Sequence, residues 1–259
     1  MNNNLIKKNS LDLVSIITPA YNAEKFINET IESVIAQTYE KWEMIIVDDC
    51  STDSTREIIK KYIAKDNRIK LIKLEVNSGP AVTRNTAIKN SCGRYLAFLD
   101  SDDQWLPEKL ERQLAFMKSN SVAFSFSKYV NVNEEGESLG KVVSIPDKVT
   151  YNQLLKQNVI GCLTVILDTD VIDGVEMVNI RSRQDYTLWL NLTKRGYQAY
   201  GFQEVLAKYR IVDQSLSSNK IKMARQNWKV YREIEKLGTI KSIWYFMHYL
   251  YFKIKKYIG

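Results

Sequence analysis

One histidine, His248, is all that this 259-residue chain contains, and it lies in the carboxyl-terminal tail, where it is read as neither metal ligand nor catalytic base. Cysteine is scarce too. Cys50, Cys92 and Cys162 are an odd number without metal-ligand spacing, so they are read as buried or bystander thiols in a reducing, cytoplasmic setting. No Gly-x-Gly-x-x-Gly follows any expected strand, which argues against a dehydrogenase. The amino terminus is rich in Asn and Lys and has no apolar signal region, so no secretion signal is visible and residues 1–10 are expected to be disordered. The longest apolar-aromatic run, Ile243 to Phe252, falls far short of the ~20 residues that span a bilayer. Neither an internal repeat nor a low-complexity segment is present.

Hydrophobic residues make up 45% and charged ones 26%, the balance of an ordinary soluble globular protein. The length suits one large α/β domain, or a domain with an appendage. The net charge of +7 is unevenly placed. Residues 219–259 hold ten Lys/Arg against two Glu, a net of +8, which leaves −1 for residues 1–218. Basicity therefore belongs to the tail, and no nucleic-acid partner is expected for the main domain.

Short apolar runs alternate with amphipathic ones along the first ~120 residues. Strands are expected at Leu13 to Thr18, Glu43 to Val47, Ile69 to Leu74 and Arg94 to Leu99, with helices between them and another opening at Pro107. The alternation implies a doubly wound, mostly parallel sheet, with all four strand ends on one rim. After Ser121 the pattern becomes mixed. Ala123 to Val132 and Leu139 to Ile145 read as a strand pair, Gly161 to Leu167 as another strand, Arg183 to Lys194 as a helix, and Lys220 to Lys236 and Ile240 to Ile258 as terminal helices. Three parts are expected: a nucleotide-binding half at 11–120, an acceptor half at 121–218, and basic amphipathic helices at 219–259.

The chemistry-bearing residues gather on the expected rim, where open α/β sheets collect their ligands. Asp100-Ser101-Asp102-Asp103 closes the fourth strand. In an extended stretch Asp100 and Asp102 share a side while Asp103 points away. Hard cations such as Mg²⁺ or Mn²⁺ want such oxygens and complete their shell with substrate phosphates. A solvated acidic turn is the plain alternative. Asp48 and Asp49 close the second strand, and a carboxylate there can accept the imide N–H of uracil or else cap the next helix. Base recognition is favoured for Asp49. Asn77 to Asn85 places Gly79 before a helix and Arg84 one turn into it, a pattern suited to phosphate or base oxygens.

Taken together, these motifs resemble family 2 of the inverting glycosyltransferases, which have the GT-A fold. The matching pieces are Val14 to Asn22, Val47 to Asp53, Asn77 to Asn85, Phe98 to Asp103 with Trp105-Leu106-Pro107, and Gln184-Asp185. The chain is also similar to glycosyltransferases of bacterial surface polysaccharides, including the teichuronic-acid type. The resemblance implies an inverting hexosyl- or N-acetylhexosaminyl-transferase with a nucleotide-sugar donor, most often a UDP-sugar. Pro19, Ala20, Tyr21, Asp49, Asn77, Gly79, Arg84, Asp100, Ser101 and Asp102 would bind the nucleotide, and Asp102 and Asp103 the metal, Mn²⁺ or Mg²⁺. Asp185 keeps the family's general base, whereas Gln184 replaces the usual Glu before it. Gln184 and Trp189 fall on the acceptor side. Ser182-x-x-Asp185 also approximates a capping box, the structural alternative for Asp185.

In Tyr209 to Ser217, Val212 stands where many relatives have a histidine, and Arg210 is offered as a diphosphate clamp or else a structural arginine. The tail's apolar side (Ile243, Trp244, Phe246, Met247, Leu250, Tyr251, Ile254, Ile258) suits a helix lying on a membrane surface. Packing on the catalytic domain, or on a second subunit in a homodimer, is the alternative. The expected acceptor is a glycan or polyprenyl-linked hydroxyl at the inner face of the cell membrane. Two other functions compete: a non-catalytic scaffold at the membrane, which Gln184 leaves open, and a sugar nucleotidyltransferase, whose Gly-rich basic loop is missing after the first strand.

Overall fold

The computed structural model describes residues 10–212 and 220–258. Residues 1–9 of the expected disordered terminus and the Asp213 to Ser217 end of the late motif lie outside the described residues, while Ser10, expected to be disordered, opens the first strand. Strands β1 (Ser10–Ala20), β2 (Trp42–Asp48), β3 (Ile69–Lys73) and β4 (Gly93–Phe98) pair in parallel, so their carboxyl ends share one rim. Every residue of β2 is buried, as a strand covered on both faces requires. Helices α1 (Ile27–Ile35), α2 (Thr55–Ile63) and α3 (Pro80–Lys89) make the crossovers. On α1 the buried Ile27, Thr30, Ile31 and Val34 recur at helical spacing.

The chain continues through β5 (Gln104–Trp105), α4 (Lys109–Ser119), β6 (Phe124–Val132), β7 (Ser138–Val143), β8 (Lys148–Val149) and α5 (Tyr151–Lys156). Then come β9 (Ile166–Asp168), α6 (Gln184–Lys194) and β10 (Ala199–Arg210). Among the described residues these form one sheet of order β3-β2-β1-β4-β9-β6-β10-β5, with β7 on β6 and β8 on β10. Short β9 is antiparallel to both β4 and β6, and β10 is parallel to β6, so β6 and β10 run the same way as the first four strands. Helices α1, α2 and α4 cover one face through Ile31, Ile59 and Leu114, against Ile16 and Ile46. Helices α3, α5 and α6 cover the other through Ala87, Leu154 and Trp189, against Phe98 and Phe124.

Several elements differ from the sequence reading. Strand β10 was not expected: its exposure does not alternate, and its pairing with β6 slips between Phe202 and Ala207. Gly201 is required there, because a Cβ would stand 2.1 Å from the Pro146 carbonyl oxygen. Instead of one strand, residues 161–167 form a 3-10 turn, Cys162–Thr164, followed by β9. Just ahead of α2, Asp53 accepts the Thr55 N–H at 3.1 Å, while the Ser51 hydroxyl accepts the Asn22 N–H at 2.9 Å.

Helix α7 (Lys220–Lys229) runs into a π-helical stretch, Val230–Ile234, whose buried Tyr231 donates to the Leu155 carbonyl at 2.5 Å. A final helix, α8 (Thr239–Ile258), turns one face to the domain: Tyr249 is buried, and the Tyr245 hydroxyl lies 3.2 Å from the Asn152 amide oxygen. Its opposite face is open. Among the described residues, no helix is long and apolar enough to cross a membrane.

The 3-10 turn is held by polar side chains under it. Trp105 Nε1 donates to the Leu163 carbonyl at 2.8 Å, and Gln113 Nε2 to that of Thr164 at 2.9 Å. Lys109, fully buried, donates to Gln113 Oε1 at 2.6 Å and to the Thr164 carbonyl at 3.3 Å. Burial without a carboxylate among these partners pushes its pKa down to about 7. Unfolding therefore takes up a proton between about pH 7 and the ordinary lysine value of 10.5, and stability rises with pH across that window. Measured by urea titration, the wild-type unfolding free energy should climb relative to Lys109→Met by up to about 1.4 kcal/mol per pH unit. Parallel pH profiles would contradict this burial argument.

Candidate active site

Asp49, at the end of β2, organises the neighbouring strand ends. Its backbone N–H donates to the Ala20 carbonyl at 2.8 Å. Both carboxylate oxygens are used, accepting from Ser78 N at 2.7 Å and Gly79 N at 2.8 Å. Asn77 Nδ2 closes the loop on the Asp49 carbonyl at 3.1 Å. Gly79 stands before α3 at φ +85°, a left-handed conformation that glycine adopts freely, and Pro80 begins the helix. Pro19 is half-buried, Ala20 buried and Tyr21 exposed at this mouth. Asp48 faces inward to Arg56 Nε (2.5 Å) and Ser51 N (3.2 Å).

The acidic segment after β4 is a turn rather than an extended stretch, because Asp103 N donates back to the Asp100 carbonyl at 3.1 Å. The alternation of sides expected for Asp100 to Asp103 therefore does not apply. Asp103 is buried, and its Oδ1 accepts the Arg210 backbone N–H at 2.9 Å. Burial, then the charges of Asp102 and Asp100, hold its pKa well above the carboxylate range. Asp102 is pushed up to about 6 by burial and by Asp100. Ser101, between them, is half-buried.

Arg210 ends β10 with its guanidinium enclosed. Nε donates to the Asp102 carbonyl at 2.9 Å, one terminal nitrogen to the Asn133 and Glu134 carbonyls, and the other pairs with Glu29. The group also lies 4.7 Å from the Phe26 ring. These contacts leave no face for a diphosphate, so Arg210 fixes the acidic turn from within instead of clamping substrate.

Across the mouth, Arg84 of α3 pairs with Asp100. The arginine is buried, and its Nε and second terminal nitrogen have no partner among the described residues. Burial opposes its charge, yet Asp100 holds the guanidinium's pKa up. Asp185 lies within the field of both: burial raises its pKa, Arg84 and Arg183 restrain the rise, and Asp100 adds to it. The Ser182 hydroxyl finds no partner among the described residues, and Arg183 before α6 makes no side-chain cap, so the capping-box alternative for residues 182–185 is not formed. Cys162, on the 3-10 turn, shares this field. Its thiol is pushed well up by burial, with Arg84, Asp100 and Asp185 all acting on it. Sequence reasoning missed it, since the turn read as plain strand.

A family model described as "Glycosyl transferase family 2" matches residues 15–167, from β1 into β9. The chain belongs to glycosyl transferase family 2. It is 51% identical over 244 residues to a Bacillus subtilis (strain 168) protein named putative teichuronic acid biosynthesis glycosyltransferase TuaG, covering 94% of this chain and 97% of the relative. It is 41% identical over 246 residues to an Escherichia coli protein, WfgD, described as a UDP-Glc:alpha-D-GlcNAc-diphosphoundecaprenol beta-1,3-glucosyltransferase, covering 95% of each. Among solved structures, an S. aureus TarS fragment in complex with UDP superposes with a TM-score of 0.67 at 24% identity, covering 92% of this chain and 70% of that one. The mostly parallel α/β architecture is thus the GT-A fold, and the chain is a glycosyltransferase.

Within this family-2 chain, Asp49, Asn77, Gly79, Arg84, Asp100 and Asp102 come together on the rim at the carboxyl ends of β1, β2 and β4, and Asp185 joins them from α6. Trp189 and Asp103 do not fit the roles expected of them. Trp189 is fully buried, 5.6 Å from the Phe98 ring and 5.3 Å from Phe124, so it anchors α6 to the sheet and offers nothing to an acceptor. Gln184 is likewise buried, its Oε1 without a partner. Asp103 is turned into the protein, which leaves Asp100 and Asp102 as the carboxylates for a cation. Among the described residues no group of three or more His, Cys, Asp or Glu converges on one point. Two carboxylates still fit Mg²⁺ or Mn²⁺, which take one or two from protein and the rest from phosphates and water. Such a cation would offset the repulsion between the Asp100 and Asp102 carboxylates.

Replacing Arg210 by Met keeps the backbone N–H to Asp103 but orphans the Asp102, Asn133 and Glu134 carbonyls and leaves Glu29 unpaired. The expected loss is about 1–3 kcal/mol of unfolding free energy. A urea midpoint equal to wild type would show that the arginine is dispensable to the turn.

Proposed function

We propose that this glycosyltransferase moves a hexosyl or N-acetylhexosaminyl group from a UDP-sugar to a hydroxyl of a lipid-linked glycan, with inversion, in the synthesis of a bacterial surface polysaccharide. The observation that carries it is the meeting of Arg84, Asp100 and Asp185, from three separate elements, on the rim where Asp49 holds the Asn77–Gly79 loop. Named activities of the two relatives, a UDP-glucose donor and a diphosphoundecaprenol acceptor among them, support the substrate classes.

In this reading Pro19, Ala20 and Tyr21 flank the base beside Asp49. The unpartnered nitrogens of Arg84 supply donors for an oxyanion in the buried mouth. Asp100 and Asp102 would hold the divalent cation, which when bound offsets charge on the departing diphosphate. Asp185 takes the proton of the acceptor hydroxyl as its oxygen bonds to the anomeric carbon. The bond from that carbon to the β-phosphate oxygen breaks on the opposite side, and its electron pair leaves with UDP. Opposed approach and departure invert the centre. Burial raises the pKa of Asp185 while Arg84 and Arg183 restrain the rise, which makes the carboxylate a stronger base than an exposed one.

Asp185→Asn should cut turnover by about a hundredfold or more, the usual scale for a lost general base. Melting temperature and UDP affinity should stay close to wild type, and UDP affinity should fall when EDTA removes divalent metal from either protein. Normal turnover in the variant refutes the base; EDTA-insensitive UDP binding refutes the metal.

The outer face of α8 supports attachment to the inner membrane surface. Ile240, Ile243, Trp244, Met247, Tyr251 and Ile254 are all exposed and recur every three or four residues, so they form one stripe. The tail's net charge of +8 complements anionic lipids, and Trp and Tyr suit the headgroup layer. Packing and membrane contact are therefore assigned to opposite faces of one helix. A Trp244→Glu, Tyr251→Glu double variant should keep its melting temperature but sediment poorly with anionic vesicles. Undiminished sedimentation would remove the stripe from the membrane.

A further inference from the structure

A cleft lies between α8 and the amino end of α6, lined by Gln157, Asn158, Arg183, Tyr249, Phe252 and Lys253. Two of these six residues are cationic and none is acidic. Arg183 precedes α6 by one position and Asp185 by two. One of its terminal nitrogens donates to the Tyr249 hydroxyl at 3.3 Å, and its guanidinium stands 5.7 Å from the Tyr249 ring and 5.9 Å from that of Tyr186. Its Nε is buried with no protein partner. Lys253, one turn beyond Tyr249 on α8, holds its ammonium 5.8 Å from the same ring. Two cations are thus gathered on one tyrosine, with amide side chains beside them and Phe252 as an apolar border. Arginine's planar fork and a nearby ammonium suit phosphoryl oxygens.

The cleft is also well placed. On one side is the helix whose outer stripe faces lipid; on the other is Asp185, close enough that Arg183 acts on its ionisation. We infer that this cleft binds the diphosphate of a lipid-linked acceptor, with Arg183 and Lys253 pairing to its phosphoryl oxygens while the attached sugar is presented to Asp185. The inference rests on the glycosyltransferase reading above and adds to it a subsite separate from the donor's own diphosphate.

The test uses the full chain with UDP and Mn²⁺ saturating, so that the donor site is closed to the probe. Farnesyl diphosphate binding, followed by calorimetry, should weaken at least about tenfold in Arg183→Gln and in Lys253→Gln, the loss of one charged hydrogen bond. UDP affinity should not move in either variant. Lys253 is exposed, so its variant reports on binding even if Arg183→Gln disturbs folding. Unchanged farnesyl diphosphate affinity in Lys253→Gln overturns the inference. So does displacement of the probe by dioctanoyl phosphatidylglycerol at equal or better affinity, which would make the cleft a general phospholipid headgroup site. Weakened binding of inorganic diphosphate in the same variants supports a phosphate-reading cleft. If wild-type protein fails to bind UDP at all, the donor reading fails instead, and that control separates the two.

Discussion

The enclosed guanidinium of Arg210 is the contact on which the catalytic rim depends. A charge removed from water must be met by hydrogen bonds on every side, or its desolvation goes uncompensated. Arg210 meets the requirement by drawing in the carbonyl of Asp102, the carbonyls of the β6–β7 turn and the carboxylate of Glu29 on α1. Its own N–H holds the Asp103 carboxylate, and Thr30 of α1 donates to the Asp103 carbonyl at 2.9 Å. The acidic turn, α1, the hairpin and the end of β10 are thereby fixed to one another. Asp100 and Asp102 owe their positions to a residue that cannot touch the substrate.

That arrangement sets the electrostatics of the mouth. With Asp103 turned inward and short of charge compensation, burial raises its pKa, and Asp102 rises beside it. Across the mouth Arg84 pairs with Asp100 and, among the described residues, has nitrogens to spare. A dianionic group and a divalent cation, arriving together, would satisfy both halves of this imbalance. Each half explains the other.

Much of the donor side was legible in the residue order because parallel strands buried on both faces must be short continuous apolar runs, and the carboxylates stand immediately after them. Ile45 to Asp49 and Leu96 to Asp103 are such cases. The acceptor side was less legible. Strand β10 is partly exposed and interrupted by pairing slips, so neither alternation nor a continuous run marks it. The motif puts Trp189 on the acceptor side beside Asp185, yet its position on that helix points it at Phe98 and Phe124. The resemblance gives Asp103 to the metal, but the turn after β4 buries that carboxylate against the Arg210 backbone N–H, a contact between segments too far apart in the chain to be read from the motif. Cys162 and Lys109 reach their places only through the folding of the 3-10 turn onto α4, a contact between segments some fifty residues apart.

The pairing of β5 with β10 has a consequence for recombining this enzyme with its relatives. Gln104 and Trp105 follow the acidic turn directly, yet their ladder partners are Lys208 and Ala207, at the far end of the catalytic region. A chimera that joined one protein's donor segment to another's acceptor segment at residue 120 would sever neither strand from its chain. It would, however, force a ladder, the Trp105 bond to the Leu163 carbonyl and the Arg210 cage to form between unmatched parents. Grafts that exchange the segment after residue 120 between relatives must therefore carry residues 102–106 with β10 as a single inheritance, although some ninety residues lie between them in the chain.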